Sequence, residues 1–278
     1  MKSSFLLSLC TVFILLVAAS CAKTSRKQVE ADFNRVDQFA QSHEFRSSLQ
    51  LLDTMMSRYK SDYAVVGEAL RKKKSIGTGY YREQIASAEG SIRTLQTRAA
   101  ELSSGFVFTP GEAGIPGTYE HKRQTAQSSW NRTYLKINLN EEGDIWLTSH
   151  YYGNEWIDHV SLRVYDSQNY LLSDTIPLGD PWNRKVEDLG DKWETIEFKE
   201  GTDAGIIAFI ADNYIQPIKV RFNGKKFQYI VMEQHDKQAI RDGLQLAQVL
   251  KEMEGLRQSM NLYSAELGKL GSEAGTEN

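Results

Sequence analysis

The chain has 278 residues, 41% hydrophobic and 25% charged, with 33 Lys and Arg against 36 Asp and Glu for a formal net charge of −3. That composition is sufficient for a buried core and excludes a wholly disordered chain. The near-balance of charge argues against nucleic acid as a partner, because domains that bind it are usually visibly basic.

Lys2 gives the N-terminus a positive start, and Phe5 to Ala19 is an apolar run of signal-peptide length. The run ends in Val17-Ala18-Ala19-Ser20-Cys21, small residues leading directly into a cysteine. This resembles a bacterial lipobox, in which the signal is cut before the cysteine and its thiol carries the lipid. Residues 1–20 are therefore expected to be a lipoprotein signal peptide and Cys21 the lipidation site. The lipid then holds the protein on a membrane surface without spanning it. Cys10 lies within the signal, so no second thiol is expected in the mature chain, and neither a disulfide nor a cysteine nucleophile. By resemblance to bacterial sorting signals, Ala22 implies the outer membrane, where Asp would favour the inner one. The absence of an acidic run over Ala22 to Lys27 favours a periplasm-facing position.

Residues 21–76 read as a lipid-anchored helical hairpin. Val29, Phe33, Val36 and Ala40 share one face, and the phase breaks at Gln41 to Glu44. A second seam then runs through Phe45, Leu49, Leu52, Met56, Tyr59, Tyr63, Val66 and Leu70. The phrase Ser48 to Tyr59 resembles the second helix of a tetratricopeptide-like hairpin, present once. Arg71-Lys72-Lys73-Lys74 reads as a solvated helix end, and Gly77 and Gly79 are expected to break the helix. Residues 77–104 form the next expected element, a stalk helix with the seam Tyr81, Ile85, Ala88, Ile92, Leu95, Ala99 and Leu102.

Over residues 105–232 the apolar period changes to 2, predicting an inserted β domain of about seven or eight short strands, a mostly antiparallel sandwich or curved sheet. Leu135, Ile137 and Leu139 alternate with polar residues, Glu142-Gly143-Asp144 turns the chain, and Ile145, Leu147 and Ser149 return. Further strands are expected at 160–165, 193–198 and 205–211. Lys219 to Phe222 and Lys225 to Met232 flank Asn223-Gly224, which predicts a hairpin with a type I′ turn.

A C-terminal stalk helix is expected over 233–270. Leu246, Val249, Met253, Leu256, Met260, Tyr263, Leu267 and Leu270 form a heptad seam that needs a partner. The 81–102 seam is the favoured one, giving an antiparallel coiled-coil stalk, because the inserted domain brings both ends together. The 45–70 seam is an equally regular competitor, which leaves the helix pairing and the oligomeric state open. Residues 271–278 read as a disordered tail.

Catalytic signatures are missing. His150, His159, Asp158 and His121 lack metal-ligand spacing, and the chain contains no phosphate loop, dinucleotide fingerprint or nucleophile elbow. Neither a cofactor nor an enzymatic activity is expected. All five Trp fall in the β region, and Tyr151, Tyr152 and Trp156 are candidate ligand-binding aromatics at an expected loop.

The lipobox, the Ser48–Tyr59 phrase and the order hairpin, stalk, β domain, return helix resemble a family of uncharacterised Bacteroidetes-type outer-membrane lipoproteins. The resemblance implies an address and an architecture, with no activity to carry over. The expected protein is α+β: a non-enzymatic envelope lipoprotein presenting a β-sandwich-like head for a protein or cell-wall partner. The alternative is a carbohydrate-binding module using the exposed aromatics.

Overall fold

The computed structural model describes residues 26–272; Cys21, the rest of the expected signal region and the tail from residue 273 lie outside it. The fold is α+β. Its helices are α1 (Arg26–Gln41), α2 (Phe45–Arg58), α3 (Tyr63–Ser103), α4 (Ala126–Ser129), α5 (Ile206–Asp212) and α6 (Gln234–Ser272). The described residues divide into two compact units, one running up to Ser87 and resuming at Met260, the other spanning Ala88–Ser259.

In the first unit α1 and α2 form the expected hairpin around Val36, Leu52, Met55, Tyr59 and Ala69. Asp32 lies inside it, accepting hydrogen bonds from the Tyr59 hydroxyl at 2.7 Å and from Arg58 at 2.9 Å. The seam expected to run unbroken from Phe45 to Leu70 is interrupted after Arg58. Asp62 Oδ1 accepts the Val65 N–H at 3.2 Å and starts α3 afresh. The expected break at Gly77 and Gly79 is also corrected, since α3 passes through both without interruption. Gly77 is there for space: a Cβ on it would lie 2.6 Å from Leu270 Cδ1. Such contact outweighs the loss of about 1 kcal/mol of helix propensity. Tyr81 stacks on Tyr263 at 6.0 Å and Tyr80 meets Phe45 at 5.5 Å, so in this unit α6 and α2 both pack against α3.

The second unit holds ten strands: β1 (Phe106–Thr109), β2 (Thr118–His121), β3 (Tyr134–Asn140), β4 (Ile145–Gly153), β5 (Ser161–Tyr165), β6 (Tyr170–Leu172), β7 (Asn183–Asp188), β8 (Asp191–Phe198), β9 (Lys219–Asn223) and β10 (Gln228–Val231). They make two antiparallel sheets, of order β1-β2-β3-β4-β8-β7 and β10-β9-β5-β6. Alternation determines which face is inward. Leu135, Ile137, Leu147, Ile196 and Phe198 of the first sheet meet Leu162, Val164, Val220 and Phe222 of the second in one core, closed by α5 and by Ala239 and Ile240 of α6. Ala99 and Leu102 of α3 and Leu246 and Leu250 of α6 pack with Phe106 and Leu139 at the β1 side.

Two local expectations are overturned. The strand expected at 205–211 is α5, with Ile206, Ile207, Ile210 and Ala211 buried at helical spacing. A short apolar run does not separate helix from strand by periodicity, and the Asp203 carboxylate, accepting the Ile207 N–H at 3.0 Å, selects the helix. The hairpin β9–β10 is present, but pairing begins at Phe222↔Gln228, too far from Asn223-Gly224 for a two-residue turn. Gly224 is absent from the positive-φ glycines and serves close approach instead, because a Cβ on it would lie 2.2 Å from the Ile157 carbonyl oxygen.

Candidate functional site

Strand β4 carries two polar clusters, one on each face. On the inner face Ser149 Oγ lies 2.9 Å from His159 Nε2, and His159 Nδ1 lies 2.6 Å from Glu194 Oε2 on β8. An ionised carboxylate only accepts, so Nδ1–H donates to Glu194. The Ser-His-Glu order has the connectivity of a hydrolytic triad. All three residues have 0% exposure and sit in the core between the sheets, where no substrate reaches the hydroxyl. The cluster is a clasp. Glu194 also accepts the backbone N–H groups of Ile157, Asp158 and His159, each at 2.8 Å, and so holds Asp158 in a left-handed conformation. Burial alone would raise the Glu194 pKa. The hydrogen bonds from the His159 ring and from the backbone outweigh it and hold the carboxyl below its ordinary value.

On the outer face the register sets Tyr134 opposite His150 and Tyr152 opposite Trp193. His150 stacks flat on Tyr134, with centroids 4.8 Å apart and an interplanar angle of 10°. The segment after α4 folds over these rows and brings Trp130 to 6.2 Å from Trp193, itself 5.5 Å from Tyr152. Trp130 is 72% exposed. Between the rings lies a groove of about 210 Å3 bordered by Ser129, Trp130, Arg132, Tyr134, His150 and Trp193.

Charge in the groove is already balanced. Arg132 pairs with Asp236 at the start of α6, and its Nη1 lies 2.8 Å from His235 Nε2. Asp236 is raised by burial, against the pull of Gln124 and Arg132. Lys136 pairs with Glu120 at 2.6 Å. Burial, together with the neighbouring Lys136 charge, lowers His150 from 6.5 to about 4, which leaves the ring neutral at pH 7. Hydrogen bonding, in contrast, is incomplete. Among the described residues the buried Arg132 Nε and His150 Nε2 lack a hydrogen-bond partner and border this groove, while the Ser129 hydroxyl at its edge interacts with the Tyr134 hydroxyl. Arg132 Nε is 3.8 Å from the Glu233 carboxylate, too far for a hydrogen bond. Buried polar groups are normally paired with protein or water, so the open Arg132 Nε and His150 Nε2 give this groove a donor and a ring nitrogen that a bound molecule or water can meet.

The aromatics expected from sequence do not form one platform. Tyr151 is a correction: it is 6% exposed, lies in the core, and donates its hydroxyl to the Glu155 carbonyl at 2.9 Å. As neighbours on one strand, Tyr151 and Tyr152 face opposite sides of the sheet, and only Tyr152 joins the outer rings. Trp156 is half-buried beneath the ammonium groups of Lys185 and Lys192, at 4.9 and 5.7 Å, which cover its face. The residues that sequence reasoning missed are Trp130, Arg132 and Trp193. Trp193 could be seen only by pairing β8 with β4 at Tyr152, and Arg132 only once α6 is placed. His121, His150 and His159 are not brought together. Among the described residues no group of three His, Cys, Asp or Glu is arranged to hold a metal, and no helix is long and apolar enough to cross a membrane.

A larger open groove of about 650 Å3, lined by Ile145, Trp146, Leu244 and Ala247, is bordered by none of the unpartnered atoms. Fold and groove together describe a two-sheet α+β protein with a charge-compensated, aromatic-walled groove. No family model matches the chain, and no curated protein or solved structure matches it.

Proposed function

We propose that this is a lipid-anchored protein of the bacterial envelope whose β-rich unit is a non-catalytic head, holding a neutral sugar ring in the groove between Trp130 and Trp193. The observation that carries the binding reading is the convergence of the unpartnered buried Arg132 Nε and His150 Nε2 on one aromatic groove. Sugar rings present apolar faces to indole and phenol rings and polar edges to side-chain donors and acceptors. At about 210 Å3 the groove is smaller than the 300 Å3 or more typical of drug-sized pockets, and suits one ring. Because Arg132 and Lys136 are already paired with carboxylates, the groove offers directional hydrogen bonds without net charge.

The address rests on the Val17 to Cys21 sequence. With the lipid at Cys21 the protein stays on the membrane, outer and periplasm-facing by resemblance to sorting signals, and its partner is a glycan or glycan-bearing component of the envelope.

Titration of the protein with a panel of neutral glycans, followed by tryptophan fluorescence, tests the head. Binding is expected, with Trp193→Ala or Trp130→Ala weakening it about tenfold. A protein that binds no glycan, or binds one equally well without either ring, overturns the reading. In cells, Cys21→Ala is expected to abolish labelling by a fatty-acid analogue and move the protein to the soluble fraction; unchanged labelling and membrane retention would exclude the anchor.

A further inference from the structure

The outer face of the four-stranded sheet carries a different arrangement. Reading across the strands, one row is Tyr229↔Arg221↔Arg163↔Leu172 and the next is Val231↔Lys219↔Tyr165↔Tyr170. Two arginines therefore stand directly opposite each other on neighbouring strands, where Cβ atoms are about 5 Å apart and like charges are destabilising. No Asp or Glu occupies a position in either row. Among the described residues none of Arg163, Arg221 and Lys219 has a carboxylate within ion-pair distance.

Both guanidinium groups lie over aromatic rings. Arg163 lies over Tyr170 at 4.2 Å and Tyr165 at 5.6 Å, with its Nε buried and unpartnered. Arg221 lies over Phe227 at 4.6 Å and donates from Nε to Asn223 Oδ1 at 2.6 Å. Contact with the rings restrains each group, and its terminal N–H groups are left to a carboxylate, which such a fork binds bidentately. Tyr170, Tyr229 and Phe227 are each more than half exposed beside these cations.

We propose that this face binds a carboxylate-bearing polysaccharide, its acid groups bridging Arg163 and Arg221 and its ring faces resting on the flanking aromatics. The bridging anion removes the like-charge repulsion that the bare sheet carries. Exposed rings alternating with cations fit a polymer of acidic sugar rings better than a bare mineral anion, which needs no apolar contact. Nucleic acid is disfavoured by the net charge of −3 and by the small number of cations, since its affinity rests on neutralising many phosphates. This inference is independent of the groove on the six-stranded sheet, where charge is compensated.

The test uses full-length protein and polygalacturonate, with dextran as a neutral polymer, duplex DNA and phosphatidylserine vesicles as further arms. Expected is binding to polygalacturonate that weakens with salt, is absent for dextran on this face, and falls about tenfold or more in Arg163→Gln/Arg221→Gln. Trp193→Ala is expected to leave it unchanged. Arg221→Glu, which places a carboxylate opposite Arg163 within the sheet, is expected to abolish binding while keeping the fold by circular dichroism. No binding to polygalacturonate, equal binding by the double variant, or tighter binding to DNA or to the vesicles overturns the proposal. Loss of polygalacturonate binding in Trp193→Ala assigns the acid to the groove and overturns it as well.

Discussion

His150 and His159 lie on opposite faces of the same sheet and differ in how completely they are satisfied. His159 is enclosed, with Ser149 on one ring nitrogen and Glu194 on the other, and the carboxylate is saturated by three backbone N–H groups. His150 is stacked on Tyr134 with its Nε2 shielded and unbonded, beside an Arg132 Nε in the same condition. In low dielectric a complete polar network rigidifies, and an incomplete one costs free energy at every open group. The closed network therefore belongs to the architecture of the β-rich unit, and the open one marks the groove proposed to bind a ligand.

The largest expected effect breaks the closed side. Glu194→Gln replaces a carboxylate oxygen by an NH2 group facing backbone donors, and is expected to cost about 3–5 kcal/mol. The urea unfolding midpoint measures it, and a loss below about 1 kcal/mol would mean that the clasp does not hold the Ile157–His159 segment. Because the folded pKa of Glu194 is depressed, its contribution is present above the unfolded value and fades as pH falls through the folded one.

The next effect reports the open side in a separate pH window. His150 stays neutral down to about 4 when folded and takes up a proton near 6.5 when unfolded. Stability is therefore lost as pH falls from 6.5 to 4, by at most about 3 kcal/mol. His150→Phe is expected to flatten that slope; an unchanged slope would show that the ring is not held neutral by burial. His121 is also lowered by burial, against the pull of Asp242, and contributes with the same sign. The readout is therefore the difference between variant and parent. The smallest effect compares two serines. Ser149→Ala strips His159 of its Nε2 partner and is expected to cost about 1–3 kcal/mol, whereas Ser129→Ala removes a hydroxyl whose contact is the Tyr134 hydroxyl at the groove edge and is expected to stay within about 0.5 kcal/mol. Equal losses in calorimetry would erase the distinction between the faces.

Much of the fold was legible because it follows from local period. The hairpin of α1 and α2, the seams of α3 and α6, and the alternation of β3 and β4 all repeat their apolar residues at the spacing of the element they form. Misreadings fell where two states share one pattern. Ile206 to Ala211 suits a strand or a short helix, and a glycine such as Gly77 or Gly224 marks close approach as readily as a turn. The candidate site was much less legible. Aromatic richness in the β region was visible, but Tyr151 entered the core, Trp156 went under two lysines, and the rings that wall the groove came from Trp130 and Trp193.

By itself the sequence determined the class of fold, the two seams and the presence of a strand-rich insertion, all of them properties of neighbours a few residues apart. Only tertiary structure decided which polar groups close on each other and which stay open. Ser149 meets Glu194 through His159, Arg132 meets Asp236 across 104 residues, and Arg163 faces Arg221 across a sheet register. Those pairings depend on strand order and helix placement, which no local period encodes.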